Sequence, residues 1–172
     1  MNRSMINNFA AAAIAFVLLF SCATADEKAG TAGIKWLTYE EGLKAAAKQG
    51  KFLFVDFYTN WCGYCKKMDK ETFTNKEVVE YLNKNFVAVK VNAESKETMN
   101  LPEGPIDGIK LARSYGVTGY PTYWFVESNG SKINKMPGYA PPDKFLPVLK
   151  FIGDGHYKTK SFKDYIESTQ NK

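Results

Sequence analysis

Histidine and cysteine are scarce in this 172-residue chain, which has one histidine, His156, and three cysteines, Cys22, Cys62 and Cys65. No second closely spaced cysteine pair exists and the histidine lies far along the chain, so the donor set of a zinc finger or ribbon is missing. Charge is not concentrated in one sign. The formal net charge is +5, and lysines alternate with acids, as in Lys66-Lys67-Met68-Asp69-Lys70-Glu71. That pattern describes a solvated mixed-charge surface and argues against nucleic-acid binding. The apolar run Phe9–Phe20 falls short of the roughly 20 residues a membrane-spanning helix needs. Internal repeats are absent, and the length suits one domain with appendages. With 45% hydrophobic and 15% aromatic residues, the chain can fill one packed core.

What is present is more specific. Cys62-Gly63-Tyr64-Cys65 follows Trp61 and an almost continuous apolar segment, Phe52-Leu53-Phe54-Val55-Asp56-Phe57-Tyr58. Such a segment reads as a strand buried on both faces, and the cysteines fall where it hands over to a helix. A helix N-terminus stabilises a thiolate through unpaired N–H groups and aligned peptide dipoles. Cys62 is therefore expected at that N-terminus, exposed, as the nucleophile. Cys65, nearly one turn on, is the resolving thiol. A purely structural bridge is a poor reading, because so local a crosslink removes little unfolded-chain entropy. Half of a metal site, or a redox-inert docking module using both sulfurs as soft ligands, is the competing reading.

The N-terminus reads as targeting sequence. Arg3, the apolar run and Ala23-Thr24-Ala25 have the form of an export signal over residues 1–25. Leu19-Phe20-Ser21-Cys22 instead resembles a lipoprotein box, with Cys22 as lipid anchor. Both readings place the protein in a periplasmic or other extracytoplasmic compartment, where disulfides persist. Residues 26–33 read as a tether and 34–172 as the folded domain.

Further along, Thr38-Tyr39-Glu40-Glu41 is a capping box opening a helix that stops at Gly50, and Thr74-Asn75-Lys76-Glu77 is read as a second one. Val87–Val91 reads as another interior strand. Residues 93–107, with Pro102, Gly104 and Pro105, lose all periodicity and read as a long loop. A short helix over 108–115 follows. Thr122–Val126 and Lys132–Met136 read as a hairpin, 145–152 as a helix, and Ser161 opens a short final helix. Strands alternating with helices, then a hairpin and a closing helix, predict an α/β fold: a mixed central sheet flanked by helices.

Two blocks carry a resemblance. Phe54-Val55-Asp56-Phe57-Tyr58 before Trp61-Cys62-Gly63-Tyr64-Cys65-Lys66, and Gly119-Tyr120-Pro121-Thr122 downstream, resemble the signature segments of the thioredoxin superfamily. Within it the chain is most similar to exported SoxW-like proteins and to the C-terminal domain of DsbD-type membrane reductases. The resemblance implies a thioredoxin fold over about residues 35–152, with an N-terminal helix extension and a short C-terminal helix. It implies no cofactor beyond the Cys62–Cys65 couple.

It also assigns roles. Asp56, a lone carboxyl in an apolar strand, would have a raised pKa and exchange a proton with Cys65. The alternative is a structural acid satisfied by Lys90 on the adjacent strand, and the two roles are compatible. Pro121 would follow a cis bond and face the disulfide, with Tyr120 offering backbone groups to a bound peptide. Trp61, Gly63, Tyr64, Tyr120 and Gly138 would form a shallow rim for the partner. His156 reads as a surface residue.

Direction is less legible than chemistry. The proline of Cys-Gly-Pro-Cys is absent, and Gly63-Tyr64 matches some periplasmic isomerases. Residues 26–35 are too few for the dimerisation domain of such isomerases, and Tyr64 lacks the cation that a histidine would lend a strong oxidant. The expectation is a monomeric exported protein-disulfide reductase acting on disulfide-containing exported proteins. A DsbD/CcdA-type membrane electron donor would recharge it. Isomerase or oxidase is the alternative.

Overall fold

The computed structural model describes residues 33–170. The leader expected over 1–25, the anchor cysteine Cys22 and all but the last residue of the tether lie outside the described residues. None of the described helices is long and apolar enough to cross a membrane.

A five-stranded sheet of order β1-β3-β2-β6-β7 forms the centre. Its strands are β1 (Trp36–Leu37), β2 (Phe52–Tyr58), β3 (Phe86–Asn92), β6 (Thr122–Val126) and β7 (Lys132–Pro137). β2 runs parallel to β3 and antiparallel to β6, so the sheet is mixed as expected. Helices α1 (Tyr39–Gln49) and α4 (Gly108–Ser114) pack on one face. α2 (Gly63–Lys67), α3 (Lys76–Asn85), α5 (Pro142–Gly153) and α6 (Phe162–Gln170) build the other layer.

Strand alternation sorts the core. Leu53, Val55, Phe57, Val87, Val89 and Val91 meet Tyr39, Ala46, Leu111 and Ala112 on the α1/α4 side. Phe54, Ala88, Tyr123 and Phe125 meet Met68, Val78, Leu82, Phe145 and Leu149 on the opposite side. Asp56 shares the parity of Phe54, so its carboxyl belongs to the α2/α3/α5 face.

The capping box at Thr38 is present: its hydroxyl accepts the Glu41 N–H at 3.3 Å, and the Glu41 carboxylate accepts the Thr38 N–H at 3.1 Å. Gly50 ends that helix in the left-handed region, at φ 64°. The second expected box is corrected. Asn75, not Thr74, caps α3, which begins at Lys76: its side-chain oxygen accepts from the Glu77 and Val78 N–H groups, while the Thr74 hydroxyl donates back to the Lys70 carbonyl at 2.7 Å. Residues 68–72 form a π-helical turn that follows α2 directly, closed by the Phe73 N–H donating to the Met68 carbonyl at 2.9 Å.

The expected long loop is also corrected. Residues 98–107 hold a hairpin, β4 (Thr98–Leu101) with β5 (Gly104–Asp107). Pro102 falls in its turn and exposed Pro105 on a two-stranded ribbon, where a missing N–H costs little. The ribbon is stable because Met99, Leu101 and Ile106 cover the α1/α4 core and the Asn100 N–H reaches Glu40. The two-residue β1 carries no sequence signal of its own.

Gly42 is where α1 lies closest to the sheet. A Cβ there would sit 2.1 Å from Val89 Cγ2 and 3.1 Å from Leu53 Cδ1, both in fully buried side chains. Gly42→Ala is expected to destabilise the domain by about 1–3 kcal/mol, lowering the urea midpoint at unchanged m-value. An unaltered midpoint would contradict this close approach.

Candidate functional site

The central strand β2 delivers the cysteines. It is flanked on both edges and covered on both faces, and it releases the chain at Tyr58 into Thr59, Asn60 and Trp61. Cys62 then occupies the N-cap of α2 with extended backbone (φ −66°, ψ 105°), and its Sγ accepts the Cys65 N–H at 3.0 Å. Sulfur thus takes the place of the usual capping oxygen, facing the helix's positive end. Cys62 and Cys65 form a disulfide with Cα atoms 5.3 Å apart.

The expected exposure of Cys62 is corrected. It is 3% exposed and Cys65 4%, so accessibility does not distinguish them. In the disulfide state the Cys62 sulfur turns over the first turn of α2, where it bonds to Cys65 and accepts its N–H. Position still separates the pair. Cys62 has Trp61 and Gly63 as exposed neighbours, whereas Cys65 lies inside the helix.

Around the pair the rim is aromatic. Trp61 (67% exposed) and Tyr64 (63%) are the most exposed large hydrophobic residues described. The Trp61 ring meets Tyr120 edge-on at 6.0 Å, and its indole N–H is held by both Glu94 carboxylate oxygens, at 3.0 and 3.1 Å. Tyr64 leans on Tyr139 at 6.3 Å, whose hydroxyl donates to Glu71. The Tyr120–Pro121 bond is cis, as expected. The Gly138 N–H donates to the Pro121 carbonyl at 2.8 Å, which makes Gly138 a backbone support for that loop. An open groove of about 650 Å³ between α3, α5 and α6, lined by Asn75, Pro142, Leu146 and Tyr165, contains none of these residues.

Within β2, the strand that leads to the pair, lies Asp56, 2% exposed. In register it stands beside Lys90 of β3 on one side and Tyr123 of β6 on the other. Lys90 Nζ is 3.8 Å from Asp56 Oδ2, while Asp56 Oδ1 and the Tyr123 hydroxyl meet no hydrogen-bonding group among the described residues. Burial pushes the Asp56 carboxyl up to about 7; Lys90 opposes this shift and the charge of Asp69 adds to it. Burial and the nearby Asp56 charge likewise raise Tyr123.

Three contributors escaped the sequence reading. Glu94 orients Trp61, Tyr139 supports Tyr64, and Asp69 forms a close ion pair with Lys90. Asp69 was absorbed into a charge run read as solvated surface. Only its place seven residues after Cys62, on the turn that continues the redox helix, signals another use. His156 is set against Tyr165 at 4.8 Å in a short 3-10 turn among the C-terminal elements.

A sequence model of the thioredoxin-like domain family matches residues 39–153. The chain belongs to the thioredoxin-like family. It is 31% identical to the thiol:disulfide interchange protein DsbD of Pseudoalteromonas atlantica over 116 residues, which is 66% of this chain and 18% of that protein. It is 35% identical over 83 residues to protein disulfide isomerase-like 5-2 of Oryza sativa, covering 48% of this chain and 17% of the relative. The chain spans less than a fifth of the length of these curated relatives. Among solved structures, a thioredoxin-fold protein from Helicobacter pylori superposes with a TM-score of 0.60 at 31% identity, over 72% of this chain and 86% of that one. The fold is the thioredoxin fold, and the family is one of thiol–disulfide oxidoreductases.

A buried carboxyl held partly neutral leaves a signature in stability. Near pH 3 it is protonated in folded and unfolded chains alike, so Asp56→Asn has little effect on the oxidised protein. Above pH 3.8 the unfolded chain ionises while the folded one keeps its proton until about pH 7, so the native chain loses stability relative to the variant. The advantage of Asp56→Asn is expected to grow through that window and level off above pH 7, at about 4 kcal/mol. Urea unfolding from pH 3 to pH 8 measures it; a pH-independent difference would mean that folding leaves the Asp56 pKa unraised.

Proposed function

We propose that this chain is an exported protein-disulfide reductase working through the Cys62–Cys65 couple. The observation that carries the reading is the disulfide at the start of α2, with the Cys62 sulfur serving as the helix cap. A sulfur so placed gains most from the helix end when it becomes a thiolate, which favours Cys62 as the attacking group.

Starting from the dithiol, the Cys62 thiolate attacks one sulfur of a substrate disulfide. The substrate S–S bond breaks, its second sulfur leaves as a thiolate and takes a proton, and a mixed disulfide forms. Asp56, ionised at that moment, accepts the proton of Cys65. The Cys65 thiolate then attacks Cys62 Sγ, the mixed disulfide breaks, and the remaining substrate sulfur leaves and is protonated. Two electrons and two protons pass to the substrate, and the Cys62–Cys65 disulfide results. The elevated proton affinity of Asp56 suits it to this transfer near neutral pH. Lys90 tempers that affinity.

The aromatic rim of Trp61, Tyr64 and Tyr120 gives an extended substrate segment an apolar bed, and Tyr120 beside Pro121 offers its backbone for strand-like pairing. The leader-like residues 1–25, with Cys22 as alternative lipid anchor, support an extracytoplasmic site of action. Recharging there calls for a dithiol donor, and the similarity to DsbD supports a membrane electron carrier of the DsbD/CcdA type. No cofactor beyond the cysteine couple is needed, and the monomer carries all the groups named.

The division of labour is testable with a protein disulfide such as insulin and dithiothreitol as donor. Cys62→Ser is expected to reduce turnover to the uncatalysed rate and form no adduct. Cys65→Ser is expected to stop after one attack and accumulate a mixed disulfide at Cys62, detected by mass spectrometry. Adducts on Cys65 in Cys62→Ser, with none in Cys65→Ser, would reverse the assignment.

A further inference from the structure

Lys90 faces two carboxylates. Its ammonium is paired closely with Asp69 and stands 3.8 Å from Asp56 Oδ2. The three side chains run from wet to dry: Asp69 is 44% exposed, Lys90 21% and Asp56 3%. The Trp36 and Tyr58 rings, each 5.2 Å from the ammonium, hold the lysine at this boundary. Asp69 reaches Lys90 from the π-helical turn that prolongs the redox helix. We propose that Asp69 is a positioning residue, which holds the Lys90 ammonium toward the surface, keeps it from closing on Asp56, and so preserves Asp56 as a group that both takes and releases a proton.

The physical reason lies between two useless extremes. A lysine closed fully on Asp56 would lock it as a carboxylate, a weak acceptor for the Cys65 proton. With no cation nearby, burial alone would lock it as the neutral acid, unable to accept at all. Sharing the cation with a second, hydrated carboxylate leaves Asp56 between these. The titratable groups facing Asp56 are Lys90 from β3, Tyr123 from β6 and Asp69 from the π-helical turn, with the non-titrating disulfide on α2. The proposal rests on the proton-transfer role given to Asp56 above. Its test is therefore a direct titration and not an activity.

In the oxidised full-length protein, the Asp56 side-chain carboxyl ¹³C shift is followed against pH. Asp69→Asn frees Lys90 to close on Asp56, and the Asp56 midpoint is expected to fall by about one pH unit from its native value. Asp69→Glu is expected to restore the native midpoint. In a Lys90→Met background, Asp69→Asn retains only its direct charge effect across a wetter path, so its shift should be less than about a third as large. An Asp56 midpoint unmoved by Asp69→Asn, or shifted equally with and without Lys90, would overturn the proposal. The same samples assayed for insulin reduction separate the two readings. Expected titration with no exchange activity would defeat the functional reading alone, and exchange with an unmoved midpoint would defeat the role of Asp69 alone.

Discussion

The hydrogen bond from the Cys65 N–H to the Cys62 sulfur joins the fold to the chemistry. It forms because β2, sealed on both faces and both edges, ends abruptly and leaves the first N–H groups of α2 without carbonyl partners. Most helices satisfy such groups with an oxygen from serine, threonine, aspartate or asparagine. Here the Cys62 sulfur does it, so the partial positive charge of the helix start also stabilises that sulfur when the bond is reduced and it ionises. Rigid delivery by the central strand keeps its partner sulfur within bonding range.

The same strand imposes the second constraint. A carboxyl at position 56 must share a face with Phe54, Tyr123 and Phe145, where ionisation is costly. The fold tempers that cost with a cation it does not give wholly to Asp56. Lys90 is held between the buried acid, a hydrated one and two aromatic rings. A fully satisfied ion pair would be the better structural solution, whereas a partly satisfied carboxyl is the better proton carrier.

Much of this was legible in the residues. The apolar run of β2, the Cys-Gly-Tyr-Cys spacing, the Gly-Tyr-Pro-Thr block and the Thr38 capping box each carry local physics strong enough to survive packing, and the structure has all four. The Asp56–Lys90 pairing was legible because register between two interior strands follows from their apolar lengths. What failed depended on tertiary context. The β4–β5 hairpin was hidden because Pro102, Gly104 and Pro105 break strands in general but are harmless in a turn and on an exposed ribbon. Thr74 and Asn75 are both good capping residues, and the choice of Asn75 rests on α3 starting at Lys76, a one-residue boundary that local pattern does not fix. Burial of Cys62 follows from the direction its sulfur takes on bonding to Cys65, which no spacing encodes. Asp69 and Glu94 looked like solvent charge because their partners come from distant segments.

The redox equilibrium of the Cys62–Cys65 couple tests the central claim most directly. The protein would be equilibrated in graded dithiothreitol or glutathione buffers, and the dithiol fraction read by alkylation and mass spectrometry. A reversible two-electron transition at a reducing potential is predicted, between about −270 and −200 mV. A midpoint near −120 mV, the range of a strong oxidant, would contradict the reductase assignment, and a bond that no thiol buffer opens reversibly would contradict exchange altogether.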